Sequence, residues 1–419
     1  MIFLMFTNMS KKNVNIVAVV TMCFIFAMIS FVTNMAAPFG NIWKGQYSWA
    51  AMMGNMMNFA AYLFMGIPAG KMLVKVGYKK TTLIGIATGL VGIIIQWLSS
   101  KVGDNIAIYV YLLGAFVCGF CVCMLNTVVN PMLNLLGGGG NKGNQFIQIG
   151  GTCNSLAGTL TPLLVGVLIG TVTDNTAMSD VAPLLFIAMA VFAISFVIIY
   201  FVNIPEPALE RKNVKFEHNA WNFRHCLLGV IAIFFYVGIE IGIPAQLNFY
   251  ISDLGFEGSA AVAGFLAASY WFLMMVGRFL SSAISGKVST RTQMITVSSL
   301  AILLLLIAIF LPESISMTVK GSAVPMKCIF LAVCGICTSI MWGAIFNLAV
   351  EGLGKYTEQA SGLFMTMVVG GGIMPLIQQA IAQRAGAIPS YWLVVAMLAY
   401  LLYYALFGCK NVNKDIPVD

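Results

Sequence analysis

The chain has 419 residues, 60% of them hydrophobic and 9% charged, with a mean hydropathy of +0.93 and a formal net charge of +8. Soluble domains carry about 25% charged residues, so a chain this long and apolar cannot close around one water-soluble core and belongs in a bilayer. Its apolar runs are continuous rather than alternating over about ten residues, which excludes a transmembrane β-barrel and leaves helices of about 20 residues.

Taken in chain order, apolar runs bounded by charges and turns predict helices over 13–36, 48–74, 81–99, 105–136, 146–171 and 181–203. A second set is expected over 224–251, 258–284, 291–311, 324–351, 357–384 and 389–409, making twelve spans. The first run is too long for a secretory signal and lacks a small-residue cleavage site. It reads as a retained span. Basic residues gather on alternate connections. Lys11, Lys12, Lys71, Lys75, Lys79, Lys80, Lys142, Arg211, Lys212, Lys215, Arg224, Arg278, Lys287, Arg291, Lys355, Lys410 and Lys414 fall on one side, against Lys44, Lys101, Lys320, Lys327 and Arg384 on the other. By the positive-inside rule both termini are cytoplasmic. This asymmetry accounts for the net charge without a nucleic-acid partner.

One long polar connection, 204–223, divides the spans six and six. The expected organisation is an N-terminal bundle (1–203), a cytoplasmic linker (204–223) and a C-terminal bundle with a short cytoplasmic tail (224–419). Short repeats agree with a duplication. VCGFC at 117–121 returns as VCGIC at 333–337, Gly70-Lys71 as Gly277-Arg278, and IGG at 149–151 as VGG at 369–371. Parallel six-helix halves, with a substrate site between them near the midplane, are one plan of secondary transporters.

Two motifs invite other chemistry and do not support it. Cys118/Cys121 and Cys334/Cys337 have zinc-like spacing but lie inside apolar spans, far in sequence from the two histidines, so they read as small apolar packing residues. GGGGNKGN at 137–144 lacks the Gly-Lys-Ser/Thr of a phosphate loop and reads as a flexible inner loop. No metal or organic cofactor is expected, and no nucleophile–base pair suggests an enzyme.

Polar side chains at depth are costly, and they face other helices or a cavity. The candidates are Thr33 and Asn34 in the first span, Asn126 and Asn130 in the fourth, and Gln148 and Asn154 in the fifth. Glu240, Gln246 and Asn248 follow in the seventh, and Trp342 and Asn347 in the tenth. Asn126 and Asn130 share one helix face. Pro131 cannot donate to the Thr127 carbonyl, and Pro244 likewise frees the carbonyl of Glu240. Amides both donate and accept, which suits a hydroxyl-rich ligand, and Trp342 offers a face for a sugar ring. The alternative is that these amides glue helices together. Glu240 is the one acid well inside a span. Desolvation favours its neutral form, as a proton carrier or a hydrogen-bond donor to substrate requires. No Lys or Arg is expected at its depth, which argues against a strongly anionic substrate.

The sequence resembles the major facilitator superfamily, and within it the fucose:proton symporter and glucose/galactose transporter family. The stretches that carry the resemblance are GIPAGKMLVKVGYKK (66–80), LNTVVNPMLNLLG (125–137), CNSLAG (153–158), FYVGIEIGI (235–243), MVGRFLSS (275–282) and GLFMTMVVGGGIMP (362–375). The resemblance implies an all-α membrane protein of twelve transmembrane helices in two pseudo-symmetric six-helix bundles, the major facilitator fold. It also implies alternating access to a central sugar site, with Asn154 matching a binding Asn. Gly70, Lys71, Gly77, Lys79, Lys80, Gly277 and Arg278 are expected in gating loops. Val74 and Lys75 stand where the inner loop of the superfamily carries an acid. Asn34 and Asn126 stand where the fucose symporter has an Asp and a Glu. Glu240 occupies a position that is Glu in some relatives and Gln in the fucose symporter. The expected function is secondary active transport of a neutral sugar or sugar derivative across the cytoplasmic (inner) membrane, coupled to a proton or sodium by Glu240. A monomer in the lipid bilayer is expected. A non-transporting sensor or scaffold, or an uncoupled facilitator, is the alternative.

Overall fold

Backbone polar groups in hydrocarbon must be satisfied within their own segment, so each apolar run closes into a helix. The computed structural model describes residues 15–47, 53–169, 178–210, 217–257 and 259–418. The N-terminal spans are α1 (Ile16–Gln46), α2 (Met53–Val76), α3 (Tyr78–Leu98), α4 (Asp104–Leu136), α5 (Gly140–Ile169) and α6 (Ala182–Phe201). The C-terminal spans begin with α7 (Arg224–Ser252), α8 (Ser259–Ile284) and α9 (Thr290–Phe310). Then come α10 (Lys327–Thr338 and Met341–Val350), α11 (Thr357–Met367 and Gly370–Ala385) and α12 (Tyr391–Tyr403). Eleven helices among the described residues are long and apolar enough to cross a membrane, and the more polar α5 makes the twelfth. Their outward faces carry large exposed apolar side chains such as Phe186, Val197, Phe201, Leu303 and Phe310, as a lipid-facing surface requires. Lys11, Lys12, Arg211, Lys212 and Lys215 lie outside the described residues.

The helix edges differ from the sequence expectation in five places, the first being α1, which runs on to Gln46 rather than ending at 36. The glycine-rich 137–144 is not a flexible loop. Gly138, Gly139 and Gly140 take positive φ (78°, 71° and 53°) in a tight turn, and α5 has already begun at Gly140. The spans α10 and α11 are each interrupted, at Ser339–Ile340 and at Val368–Val369. Between α9 and α10 a two-stranded hairpin, β1 (Ser316–Val319) and β2 (Ser322–Pro325), turns at Lys320 and Gly321, both with positive φ.

Within the N-terminal six, α3 packs on α4, α2 on α4, and α1 on α5; within the C-terminal six, α7 packs on α11 and α8 on α10. The first cysteine pair serves the α3/α4 crossing. Cys118 and Cys121 face Gly92 and Gly89 of α3, so close that an added Cβ at either glycine meets sulfur at 2.7 Å. Across the halves α2 meets α11 and α5 meets α8, which the repeat exchanges for one another. The α2/α11 crossing is tight at two glycines of α2: an added Cβ at Gly66 would run into Thr366, and one at Gly70 would lie 2.8 Å from the Gly362 Cα.

Candidate functional site

Near the middle of the bundle, α7, α8, α10 and α5 bring charged and polar groups to one place. Glu240 on α7 and Arg278 on α8 form an ion pair, Nη2 to Oε1 at 3.1 Å, with side chains 14% and 12% exposed. The rest of the guanidinium reaches other carriers. Nη1 donates to the Ser155 hydroxyl at 2.8 Å and to the Gly151 carbonyl at 3.4 Å, both on α5, and Nε donates to the Ser339 carbonyl at 3.2 Å. That last acceptor is supplied by the interruption of α10. The adjoining Ile340 carbonyl takes a bond from Gln148 Nε2 at 3.0 Å. Tyr236, one turn before Glu240, is fully buried against the ion pair. Its ring lies edge-on to Trp342, centroids 6.2 Å apart.

The expectation that no cation reaches the depth of Glu240 is therefore wrong, and Arg278 is not in a gating loop. It sits two turns before the end of α8, and its long side chain reaches the centre. Gly277 beside it packs against Ser339, and Gly70 and Lys71 likewise lie inside α2, one to two turns before its end. Lys71 is exposed, so the two repeat-related basic residues occupy opposite environments. Gly77 (φ 87°), Lys79 and Lys80 do form the tight α2–α3 junction.

The amides fall into two groups. Asn34 and Asn154 are half-buried between α1 and α5. Asn34 Nδ2 donates to the Ser30 carbonyl at 2.8 Å, and Asn154 Nδ2 to the Phe26 carbonyl at 2.9 Å. Gln246 is buried and Asn248 half-buried about two turns beyond Glu240. The other group is engaged by neighbouring helices, all but Asn126 at the seam between α4 or α5 and α10. Asn126 Nδ2 donates to the Tyr62 hydroxyl at 2.8 Å within the first half. Asn130 Oδ1 accepts from Trp342 Nε1 at 3.0 Å, and Asn134 Nδ2 donates to Asn347 Oδ1 at 2.6 Å. In this conformation Asn130, Gln148 and Asn347 are buried in contacts between halves rather than open to a cavity.

These seam contacts continue to the end of the bundle that carries Lys75, Lys79, Lys80, Lys142, Lys287 and Lys355, hereafter the basic end. Asn144 Nδ2 donates to the Ser285 hydroxyl at 3.3 Å, Gln145 Nε2 to the Ser282 carbonyl at 2.9 Å, and the Thr290 N–H to Asn141 Oδ1 at 3.2 Å. The Tyr78 hydroxyl donates to Glu358 Oε1 at 3.2 Å, and the Ser361 hydroxyl to the Thr127 carbonyl at 2.9 Å. The halves are thus sealed at the basic end. The acid missing from the α2–α3 junction has a substitute. Glu206, just after α6, accepts from the Tyr78 and Lys79 N–H groups at 2.6 and 2.8 Å, at the positive end of the α3 dipole.

The match to the model of the Major Facilitator Superfamily runs over residues 14–375. The chain belongs to that superfamily. Among its members it is similar to the glucose/galactose transporter of Brucella abortus biovar 1, 32% identical over 96% of each chain. It is also similar to the putative glucose/galactose transporter of Helicobacter pylori, 28% identical over 85% of this chain and 87% of that one. The L-fucose-proton symporter of Escherichia coli is 23% identical over 85% and 84%. Among solved structures, the fucose:proton symporter of Escherichia coli superposes with a TM-score of 0.79 at 19% identity, covering 94% of this chain and 98% of that one. A proton:xylose symporter superposes at 0.71 and 10% identity, covering 94% and 96%. The chain accordingly has the twelve-helix, two-bundle major facilitator fold.

The residues that sequence reasoning missed are Arg278 as a central group, Ser155, Ser339, Tyr62 and Ser361. Ser155 follows Gly151 by one turn and Tyr236 precedes Glu240 by one turn, so helical spacing was the available signal. A further signal lies in the repeat. Asn34 stands four residues before Pro38 in the first span, as Glu240 stands four before Pro244 in the seventh.

Proposed function

We propose that this superfamily member is a secondary active transporter for a neutral hexose-class sugar, symported with a proton or sodium across the cytoplasmic membrane. The observation that carries the reading is the Glu240–Arg278 pair at mid-depth, with its guanidinium donating to α5 of the opposite half. The two charges cancel. The site offers hydroxyl-seeking donors and acceptors without a net charge, as an uncharged polyol requires. The names of the similar proteins, glucose/galactose transporters and a fucose symporter, point the same way. Asn34, Asn154, Trp342, Gln246 and Asn248 are the proposed sugar contacts. Asn126, Asn130, Gln148 and Asn347 join them as the halves move, and Glu240 is the coupling acid.

The proposed organisation is a bundle over 1–203, a linker over 204–223 and a bundle over 224–419. The basic end and both termini face the cytoplasm, by the positive-inside rule. With that end sealed, this conformation is read as one closed to the cytoplasm. The test is uptake of labelled hexoses, deoxyhexoses, N-acetylated sugars and uronates into proteoliposomes, with proton and sodium gradients imposed separately. Uphill uptake of a neutral sugar under one gradient is expected. Absence of counterflow for every sugar refutes the reading and favours a non-transporting sensor.

A further inference from the structure

Pro131 lies inside α4 and removes the N–H that would bond to the Thr127 carbonyl. Thr127 is fully buried, and its own hydroxyl is turned to the Cys123 carbonyl at 2.8 Å, away from the carbonyl that Pro131 leaves without its i+4 donor. A buried carbonyl without a partner is costly. The partner comes from the other half: the fully buried Ser361 hydroxyl of α11, at 2.9 Å. Ser361 shares a helix face with Glu358, which accepts from Tyr78, and adjoins Gly362, which touches Gly70. The bond therefore lies within the contact that seals the basic end.

We propose that the Ser361–Thr127 bond is a releasable latch on the sealed state, and that Pro131 keeps the carbonyl free for it. The inference rests on the alternating-access reading above. When the basic end opens, α4 and α11 part, and water entering the gap satisfies the same carbonyl. The latch then breaks without stranding a polar group. A residue with an N–H at 131 would give the carbonyl a permanent partner inside α4 and weaken its need for Ser361. Ser361, Thr127 and Pro131 are positioning residues in this scheme. They set the ratio of the two end states and do not touch the sugar.

The experiment measures that ratio directly. Spin labels are placed at Lys142→Cys and Lys287→Cys, exposed positions on opposite halves of the basic end, and their distance distribution is recorded by pulsed electron paramagnetic resonance in liposomes. Nine of the ten native cysteines are buried, and the unlabelled-site background is subtracted. Ser361→Ala is expected to raise the ratio of long to short distances about fivefold, the shift set by one buried hydrogen bond of ordinary strength. Pro131→Ala shifts it the same way, and the double variant goes no further than the larger single one. Ser361→Thr, which keeps the hydroxyl, stays within about twofold of the native ratio. An unchanged ratio in folded Ser361→Ala, or full additivity of Ser361→Ala and Pro131→Ala, overturns the latch. If the native protein moves no sugar while the ratio shifts as expected, the latch stands and the substrate reading falls. If it moves sugar and the ratio does not shift, the latch falls alone.

Discussion

Replacing Glu240 by Gln removes a charge 3.1 Å from the Arg278 guanidinium while keeping the shape and an acceptor oxygen. At an effective dielectric of about 20, opposite unit charges at that separation attract by about 5 kcal/mol. The retained amide acceptor returns about 1 kcal/mol. Arg278 also keeps its bonds to Ser155, Gly151 and Ser339, so it is not stranded. A net loss of roughly 3 to 4 kcal/mol is expected, within the range for breaking a buried pair by one partner. At an unfolding entropy of about 2 cal/mol/K per residue, that lowers the thermal midpoint in detergent by roughly 3 to 4 °C for a chain of this length. Arg278→Gln should cost a similar amount, and the double variant less than the sum, with a coupling of at least about 2 kcal/mol. In proteoliposomes, Glu240→Gln should still exchange labelled sugar, which needs no net movement of the coupling ion, and should lose uphill uptake. Additive single-variant losses would refute the ion pair. Uphill uptake at the native rate would refute the coupling role.

Three further perturbations test other parts of the molecule. Asn126→Leu removes the donor to the buried Tyr62 hydroxyl and should cost about 1 to 3 kcal/mol of stability while abolishing sugar binding, measured by calorimetry on protein shown to be folded. Binding at native affinity would remove Asn126 from the site. Gly70→Val places a Cβ 2.8 Å from the Gly362 Cα. The sealed basic end then cannot close, and Ser282→Cys, at a buried seam position, should react with thiol reagents added from that side faster than in a Gly70 background. Glu206→Gln takes the anion from the α3 N-terminus. It should cost about 1 kcal/mol in thermal stability, leaving sugar specificity unchanged in the uptake panel.

The twelve spans were legible because hydropathy alone decides whether a segment enters a bilayer, and length decides whether it crosses. The breaks in α10 and α11 were not. Residues on both sides of Ser339–Ile340 are equally apolar, and the break is stabilised from outside by Arg278 and Gln148, which sequence does not place nearby. The start of α5 at Gly140 was hidden by glycines that read as a loop. Asn126 and Asn130 were found by spacing, and the freed Thr127 carbonyl by Pro131, but its partner Ser361 lies 234 residues away. Arg278 was misread because it was counted by its distance from the helix end. A side chain of its length reaches well beyond its own Cα, and only the packing of α8 against α5 and α7 says where.

The contacts that join the halves at the basic end are nearly all made by neutral amides, hydroxyls and backbone carbonyls: Asn134–Asn347, Asn144–Ser285, Gln145–Ser282, Ser361–Thr127. Each is worth about 1 kcal/mol net, so a set of them holds a conformation without trapping it. A buried ion pair across the seam would leave two unpaired charges each time the halves parted, at several kcal/mol apiece. The central pair avoids this because Glu240 and Arg278 stand on adjacent helices of the same half. On the proposed reading, rocking of the halves leaves the pair intact and changes only what the second guanidinium nitrogen donates to. That nitrogen now meets the Ser155 hydroxyl and the Gly151 carbonyl. A sugar hydroxyl is chemically equivalent to the first of these acceptors. On the same reading, a sugar hydroxyl that replaced Ser155 at Arg278 would tie binding to separation of α5 from α8.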